Sequence, residues 1–186
     1  MKRTSNLTDE NLMVQVRQDR LESASVLFER YHAQIYGFYV KLTGDPTLSQ
    51  DLTQTVFERM IRYRTSFKEH MPFRAWIFQI ARNAYKDTYP RTGNPCGYPH
   101  STPEETTAQD PGQAEEITRS ETIENLHLAL ARLPEDDREI LLLTRFQELK
   151  YAEVAQITGS TEGAVKVRAH RAIRQLRELF FRIDAR

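Results

Sequence analysis

The chain has 186 residues, of which 39% are hydrophobic, and its 26 basic and 26 acidic side chains leave a formal net charge of zero. That length and composition fit one ordinary domain or two small ones with packed cores, and exclude a disordered chain. No apolar run approaches the roughly 18 residues that a membrane span needs, and no signal-peptide core lies between Met1 and Arg20, so a cytoplasmic location without membrane insertion is expected. The lone Cys96 excludes an internal disulfide and, with no second cysteine near it, a zinc cluster.

In chain order, apolar residues recur at helical spacing: Leu12 and Val16; Leu27, Tyr31, Ile35, Phe38 and Leu42; Leu52, Val56 and Met60; Ile77, Ile80, Ala81 and Ala84. No comparable stretch alternates with period two. Asp45-Pro46 offers an N-cap followed by proline at the first helical position. Between Tyr63 and Asp87, aromatic and basic groups interleave: Tyr63, Arg64, Phe67 and Lys68, then Phe73, Arg74 and Trp76, then Arg82, Asn83, Lys86 and Asp87. Such interleaving suits single-stranded DNA, whose bases stack on rings while its phosphates meet cations. The plainer reading makes Phe73, Trp76 and Ile77 core.

From Tyr89 to Gln113 the chain holds five of its eight prolines and three of its seven glycines, with no apolar periodicity, and reads as a linker. Beyond it, LPEDDREILLLTRFQEL supports one helix opened by Pro134, KYAEVAQIT a second closed by Gly159, and EGAVKVRAHRAIRQLREL a third capped by Ser160 or Thr161. That is helix-turn-helix spacing. From 163 to 186 seven basic side chains stand against two acidic ones, so this end is the expected DNA contact. On the third helix Thr161, Glu162, Lys166, Arg168, His170, Arg171 and Arg174 fall on outward positions. Glu162, Lys166 and His170 or Arg171 are expected on bases, and Arg168, Arg174 and Arg177 on phosphates. The alternative is a solvated helix whose Val165, Ala169, Ile173 and Leu176 fill a core. The fold class expected is all-α: two small helical domains joined by a flexible linker.

His32, His70, His100, His127 and His170 are scattered, and neither metal-ligand spacing nor a nucleophile motif appears. No catalysis, cofactor or metal is expected.

The segments LFERYHAQIYGFYVKLTGD, QDLTQTVFERM and FRAWIFQIARNAYKD resemble the second region of extracytoplasmic-function (group IV) sigma factors. LPEDDREILLL and YAEVAQITGSTEGAVKVRAHRAIRQLRE resemble the family's fourth region. The resemblance implies a region-2 bundle over residues 1–90, a linker over 91–118 and a region-4 helix-turn-helix over 119–186. It further implies a subunit that binds the RNA polymerase core, melts the minus-ten promoter element with the first domain and grips the minus-thirty-five element with the second. By the same resemblance Asp51, Leu52, Gln54, Thr55, Phe57 and Glu58 lie on the helix that meets a coiled coil of the largest polymerase subunit. The loop from Ser66 to Pro72 would receive a flipped base, framed by Asn83 and Asp87.

One departure stands out. Where the family commonly has an acidic cluster, this chain has Leu48, Ser49, Gln50 and Asp51, and Thr55 stands where a glutamate is usual. Charge complementarity sets encounter and register at such interfaces. Phosphorylation of Thr55, or secondarily of Thr53, with Ser49 the third hydroxyl, would add about −1.5 to −2 charge at pH 7. A serine/threonine kinase that licenses polymerase binding is therefore expected as the control, an anti-sigma factor being the other route. The rival functional reading is a helix-turn-helix regulator that never joins polymerase.

Overall fold

In a computed structural model of the chain, the backbone of residues 7–88 and 111–185 is described, with the side chains of these residues except 111–120. Residues 91–110 of the expected linker, with Cys96 and His100, lie outside the described residues.

Helix α1 (Asp9–Arg17) starts at Thr8, whose hydroxyl accepts from the Asn11 amide, and buries Leu12, Met13 and Val16. Helix α2 (Glu22–Thr43) is the long element of this unit and ends at Gly44 in a left-handed turn, φ 72°. Helix α3 (Pro46–Arg62) opens as its sequence predicts, with the Asp45 carboxylate accepting from the Leu48 amide at 3.0 Å and proline next in the chain. A single 3₁₀ turn (Arg64–Ser66) leads into α4 (Phe73–Thr88). The four helices enclose Phe38, Tyr39, Phe73, Phe78 and the aliphatic faces around them. Inside this core the Tyr39 hydroxyl donates to the Ala81 carbonyl at 2.7 Å, tying α2 to α4 and satisfying the one polar atom of a buried ring.

The second unit begins with α5 (Pro111–Ala131), so the chain is already helical within the segment expected as linker. Helix α6 (Glu135–Leu141) passes into a π turn (Leu142–Phe146), and Glu148 at φ 50° reverses the chain into α7 (Tyr151–Thr158). Gly159 closes α7 at φ 66°, and α8 (Glu162–Asp184) follows. Leu130, Leu133, Leu141 and Ala172 form a small core between α5, α6 and α8. Every element among the described residues is helical, as expected.

The two units are packed together. Ile140, Leu142, Leu143, Leu149 and Val154 of the second unit belong to the same buried cluster as the core of the first. Three polar contacts accompany this. The buried Arg138 guanidinium donates to the Leu42 carbonyl at the end of α2, at 2.7 Å. Glu139 reaches Arg82 and Lys86 on α4, and the Lys41 ammonium lies 5.5 Å over the Phe146 ring. The two helical domains expected are thus present, and in this conformation their surfaces meet. A linker's composition reports how freely it moves, not whether the surfaces it joins match.

Candidate functional site

Three surfaces carry the residues singled out by the sequence. The first is α8. Its inner face buries Val165, Ala169 and Ala172, which leaves Glu162, Lys166, Val167, Arg168, His170, Arg171, Arg174 and Arg177 exposed on the other side. Thr161 is the cap, its hydroxyl accepting from the Ala164 amide at 3.2 Å; Ser160 is not, though its amide donates to the Ala155 carbonyl and closes the turn. The helix-turn-helix therefore presents an intact, mainly basic outer face. Arg168 departs from its companions: its guanidinium lies 3.3 Å from Asp137 and 3.9 Å from Asp136 at the start of α6, so an acidic pair of the same unit already holds it.

The second surface runs from Tyr63 to Asp87. Two of its expected stacking rings are core. Phe67 is 1% and Trp76 6% exposed; they meet edge to face at 5.3 Å with Phe73 beside them, so neither offers a free face to a base. The reason is the helical spacing of Phe73, Trp76, Ile77 and Ile80, which puts the apolar stripe of α4 inward. Tyr63, Lys68, Asn83 and Asp87 remain exposed. Among the cations, Arg64 pairs with Asp19 at 2.7 Å and Arg74 reaches Gln34 at 3.4 Å. Asp87 is held by Arg59 at 2.6 Å. Arg82 and Lys86 turn toward Glu139 of the second unit, at 3.0 and 3.9 Å. The Glu139 carboxylate is buried, and burial raises its pKa, against the opposing pull of Arg82 and Lys86.

The third surface is the outer face of α3. Asp51, Gln54 and Glu58 form an exposed stripe at helical spacing, with the Gln54 amide donating to Glu58 at 2.9 Å. Leu52 and Phe57, expected in the same interface, are buried instead, Phe57 packing edge to face on Phe28 of α2. The three hydroxyls separate sharply. Ser49 and Thr53 are buried, their hydroxyls donating to the Asp45 and Ser49 carbonyls. Thr55 is half-buried and donates to the Asp51 carbonyl at 2.9 Å at the edge of the stripe. Of the three it alone is placed for modification of the folded helix, so Ser49 and Thr53 are corrected to structural hydroxyls.

Two groups escaped the sequence reading. Phe28 is 45% exposed, stacked on His32 at 5.0 Å and packed edge to face on Phe57 at 4.7 Å. This aromatic pair sits beside the α3 stripe, and its only signal is an i,i+4 aromatic pair one position off the apolar face of α2. The second group is Arg138 and Glu139, whose signal is two charges inside the apolar run that follows Pro134. Among the described residues no cluster of His, Cys, Asp or Glu is arranged to hold a metal ion, and no helix is long and apolar enough to cross a membrane.

Residues 27–94 match the family model described as Sigma-70 region 2, and residues 123–176 match that of Sigma-70, region 4. The RNA polymerase sigma factor CarQ of Myxococcus xanthus is 29% identical over 167 residues, spanning 90% of this chain and 92% of its own. The RNA polymerase sigma factor YlaC of Bacillus subtilis is 28% identical, spanning 84% and 91%. In fold, the chain is similar to CnrH, solved in complex with the cytosolic domain of CnrY: TM-score 0.68 at 22% identity, over 92% of this chain and 96% of that one. It is also similar to the sigma factor RpoE of Bartonella quintana, solved with the anti-sigma factor NepR: TM-score 0.61 at 20% identity, over 82% and 92%.

Proposed function

This chain belongs to the sigma-70 family, as an extracytoplasmic-function type built of regions 2 and 4, and from that premise we propose how its three surfaces divide the work of promoter-specific initiation in the cytoplasm. The chain is an alternative sigma factor that directs transcription. Its region 2, residues 1–90, docks on the RNA polymerase core through the Asp51–Gln54–Glu58 stripe of α3, with Phe28 and His32 as an aromatic flank. An exposed aromatic pair beside charged and amide groups is the composition of an interface hot spot within a polar rim.

Region 4, residues 119–186, inserts α8 into the major groove of the minus-thirty-five element. Glu162, Lys166 and His170 or Arg171 read base edges, and Arg174 and Arg177 anchor phosphates. Minus-ten recognition falls to Tyr63, Lys68, Asn83 and Asp87, joined by Arg82 and Lys86 once these leave Glu139. Tyr63 is the exposed ring on which a base would stack, in place of Phe67 and Trp76. The chain performs no chemistry of its own.

The observation that carries this reading is the order of two matched regions on two helical units, the second of which ends in a capped helix-turn-helix with an exposed basic face. A regulator independent of polymerase leaves the region-2 match without a purpose. Control is proposed at Thr55: its phosphate would join Asp51 and Glu58 and restore the charge that the stripe lacks. An anti-sigma factor is the alternative control, since the neighbours CnrH and RpoE were each solved with a binding partner.

The test is to mix unmodified protein and Thr55→Glu with bacterial core polymerase, then measure core binding and selective transcription from a genomic promoter library. Selective initiation by either form supports the sigma assignment. Initiation by Thr55→Glu alone supports the phosphorylation switch, whereas equal activity of both forms removes it. If neither form, nor wild type phosphorylated by a cognate kinase, binds core, the polymerase-independent regulator takes its place.

A further inference from the structure

We propose that α1 and the turn after it form a splint for the loop from Phe67 to Pro72: Glu10, Arg17 and Asp19 hold that loop in shape, and so set how well region 2 captures a flipped minus-ten base. The inference rests on the sigma reading above. It assigns positioning residues to a segment that precedes the matched residues 27–94.

The loop is tied before it begins, along its first half and at its end. Ahead of it, Arg64 donates from Nε and Nη2 to one carboxylate oxygen of Asp19, at 3.1 and 2.7 Å. At its start, Arg17 Nη1 donates to the Phe67 carbonyl at 3.3 Å, while Nη2 of the same guanidinium donates to the Glu69 carboxylate. At its end, the Phe73 amide donates to Glu10 Oε1 at 3.1 Å. That amide belongs to the first turn of α4, where helix geometry leaves donors without partners, and Pro72 before it has no side-chain acceptor to offer. A carboxylate 63 residues earlier does the capping instead.

The backbone of the splint is shaped for this. Asp19 is one of two non-glycine residues at positive φ among the described residues, at 63°. Aspartate tolerates that region better than most side chains, and the reversal after α1 brings its carboxylate to Arg64. Phe67 is buried against Trp76 and pins the near end of the loop. Between the ties stand Lys68 and His70, both exposed.

Taken singly, exposed ion pairs add little stability. Their effect here lies in order. A loose loop loses its backbone freedom when a base enters it, and that loss subtracts from capture; a loop already held has met it on folding. One guanidinium on a carbonyl and on a carboxylate two residues further fixes backbone and side chain together, which a compact ammonium does not reproduce. The competing role, direct contact with DNA phosphates, does not suit the carboxylates Glu10 and Asp19, and Arg17 already spends both terminal nitrogens on the loop.

The experiment uses the full chain, alone and with bacterial core polymerase. The probe is the single-stranded minus-ten segment of the promoter most active in the library transcription, intact and with one abasic site moved along it. Wild-type holoenzyme is expected to lose affinity at one position above the others, that of the captured base. Arg17→Ala and Glu10→Ala are each expected to weaken binding of the intact strand about tenfold, to flatten that sensitivity, and to leave core affinity unchanged. In the free chain, the amides of residues 68–71 should exchange hydrogen about tenfold faster in both variants. Glu10→Gln keeps an acceptor for the Phe73 amide and should bind the strand as wild type does, while Arg17→Lys should recover only part of the loss. The proposal is overturned if loop exchange is unchanged in the alanine variants, if they bind the strand as wild type does, or if they keep the wild-type sensitivity to the abasic site. It is equally overturned if Arg17→Ala lowers the salt slope by about one, the mark of a lost phosphate contact, or if Glu10→Gln binds as poorly as Glu10→Ala. If wild type with core does not bind the strand at all, the sigma reading falls, and exchange in the free chain still decides whether the splint orders the loop.

Discussion

Tyr63 and Trp76 show how two aromatic residues of one segment divide between surface and core. Trp76 contacts Phe67 and Phe73 in the core, whereas Tyr63 is 49% exposed at the end of α3. Trp76→Ala is expected to cost about 3–5 kcal/mol, from lost transfer and residual cavity, read as a lower urea midpoint. Tyr63→Ala should leave stability within about 0.5 kcal/mol and instead reduce strand opening, read by permanganate reactivity of promoter thymines in the holoenzyme. Stability loss in Tyr63→Ala, or none in Trp76→Ala, would reverse the assignment. The α3 hydroxyls divide in the same way. Thr53→Glu forces a carboxylate into a buried site and should destabilise by several kcal/mol, while Thr55→Glu should melt close to wild type. Comparable melting of the two variants would contradict the burial difference between Thr53 and Thr55.

At the scale of elements, the helix-turn-helix depends on two local devices that the sequence displays openly. Gly159 sits at φ 66° with open space around its missing side chain, so alanine there is penalised by backbone strain alone, about 1 kcal/mol. Thr161→Ala removes the cap of α8 and is also expected to cost about 1 kcal/mol; calorimetry on the full chain would detect either loss. The outer face of α8 carries a further prediction. Arg174→Ala should weaken promoter binding evenly across sequences and lower the salt slope by about one, whereas Lys166→Ala should relax preference at particular base pairs. A selection from randomised minus-thirty-five sites separates the two outcomes. The capped ends of α3 and α8 were legible because a cap is a local contract between a side chain and an amide three residues on. The interior of α4 was less so: spacing alone could not tell a stacking ring from a core ring until α1, α2 and the turn before α4 closed over Phe67 and Trp76.

For the whole molecule, the contact between units sets the response to pH. Burial holds the Glu139 pKa above the ordinary carboxylate range, against Arg82 and Lys86, so the packed state binds a proton more readily than a solvated Glu139 does. The sign follows from linkage: packing is favoured below the solvated pKa, and that contribution is lost as pH rises through the raised value. Glu139→Gln, an uncharged near-isostere, is therefore expected to keep a short interdomain distance, measured by pulsed electron resonance between spin labels, and to flatten its dependence on pH. An opened Glu139→Gln, or a wild-type distance that lengthens on acidification, would show that attraction outweighs burial.

By itself the sequence determined the all-α class, the segment boundaries near Asp45, Pro134 and Gly159, the capped helix that follows Gly159 and the family, because each is written in residues close together in the chain or in motifs of fixed spacing. Only the tertiary structure decided which of Phe67, Trp76, Leu52 and Phe57 are core, which of Ser49, Thr53 and Thr55 is accessible, and that Glu139 meets Arg82 and Lys86 more than fifty residues away. Burial and ion pairing between distant segments depend on which surfaces meet, and that is settled by the free energy of packing the whole chain rather than by any local pattern.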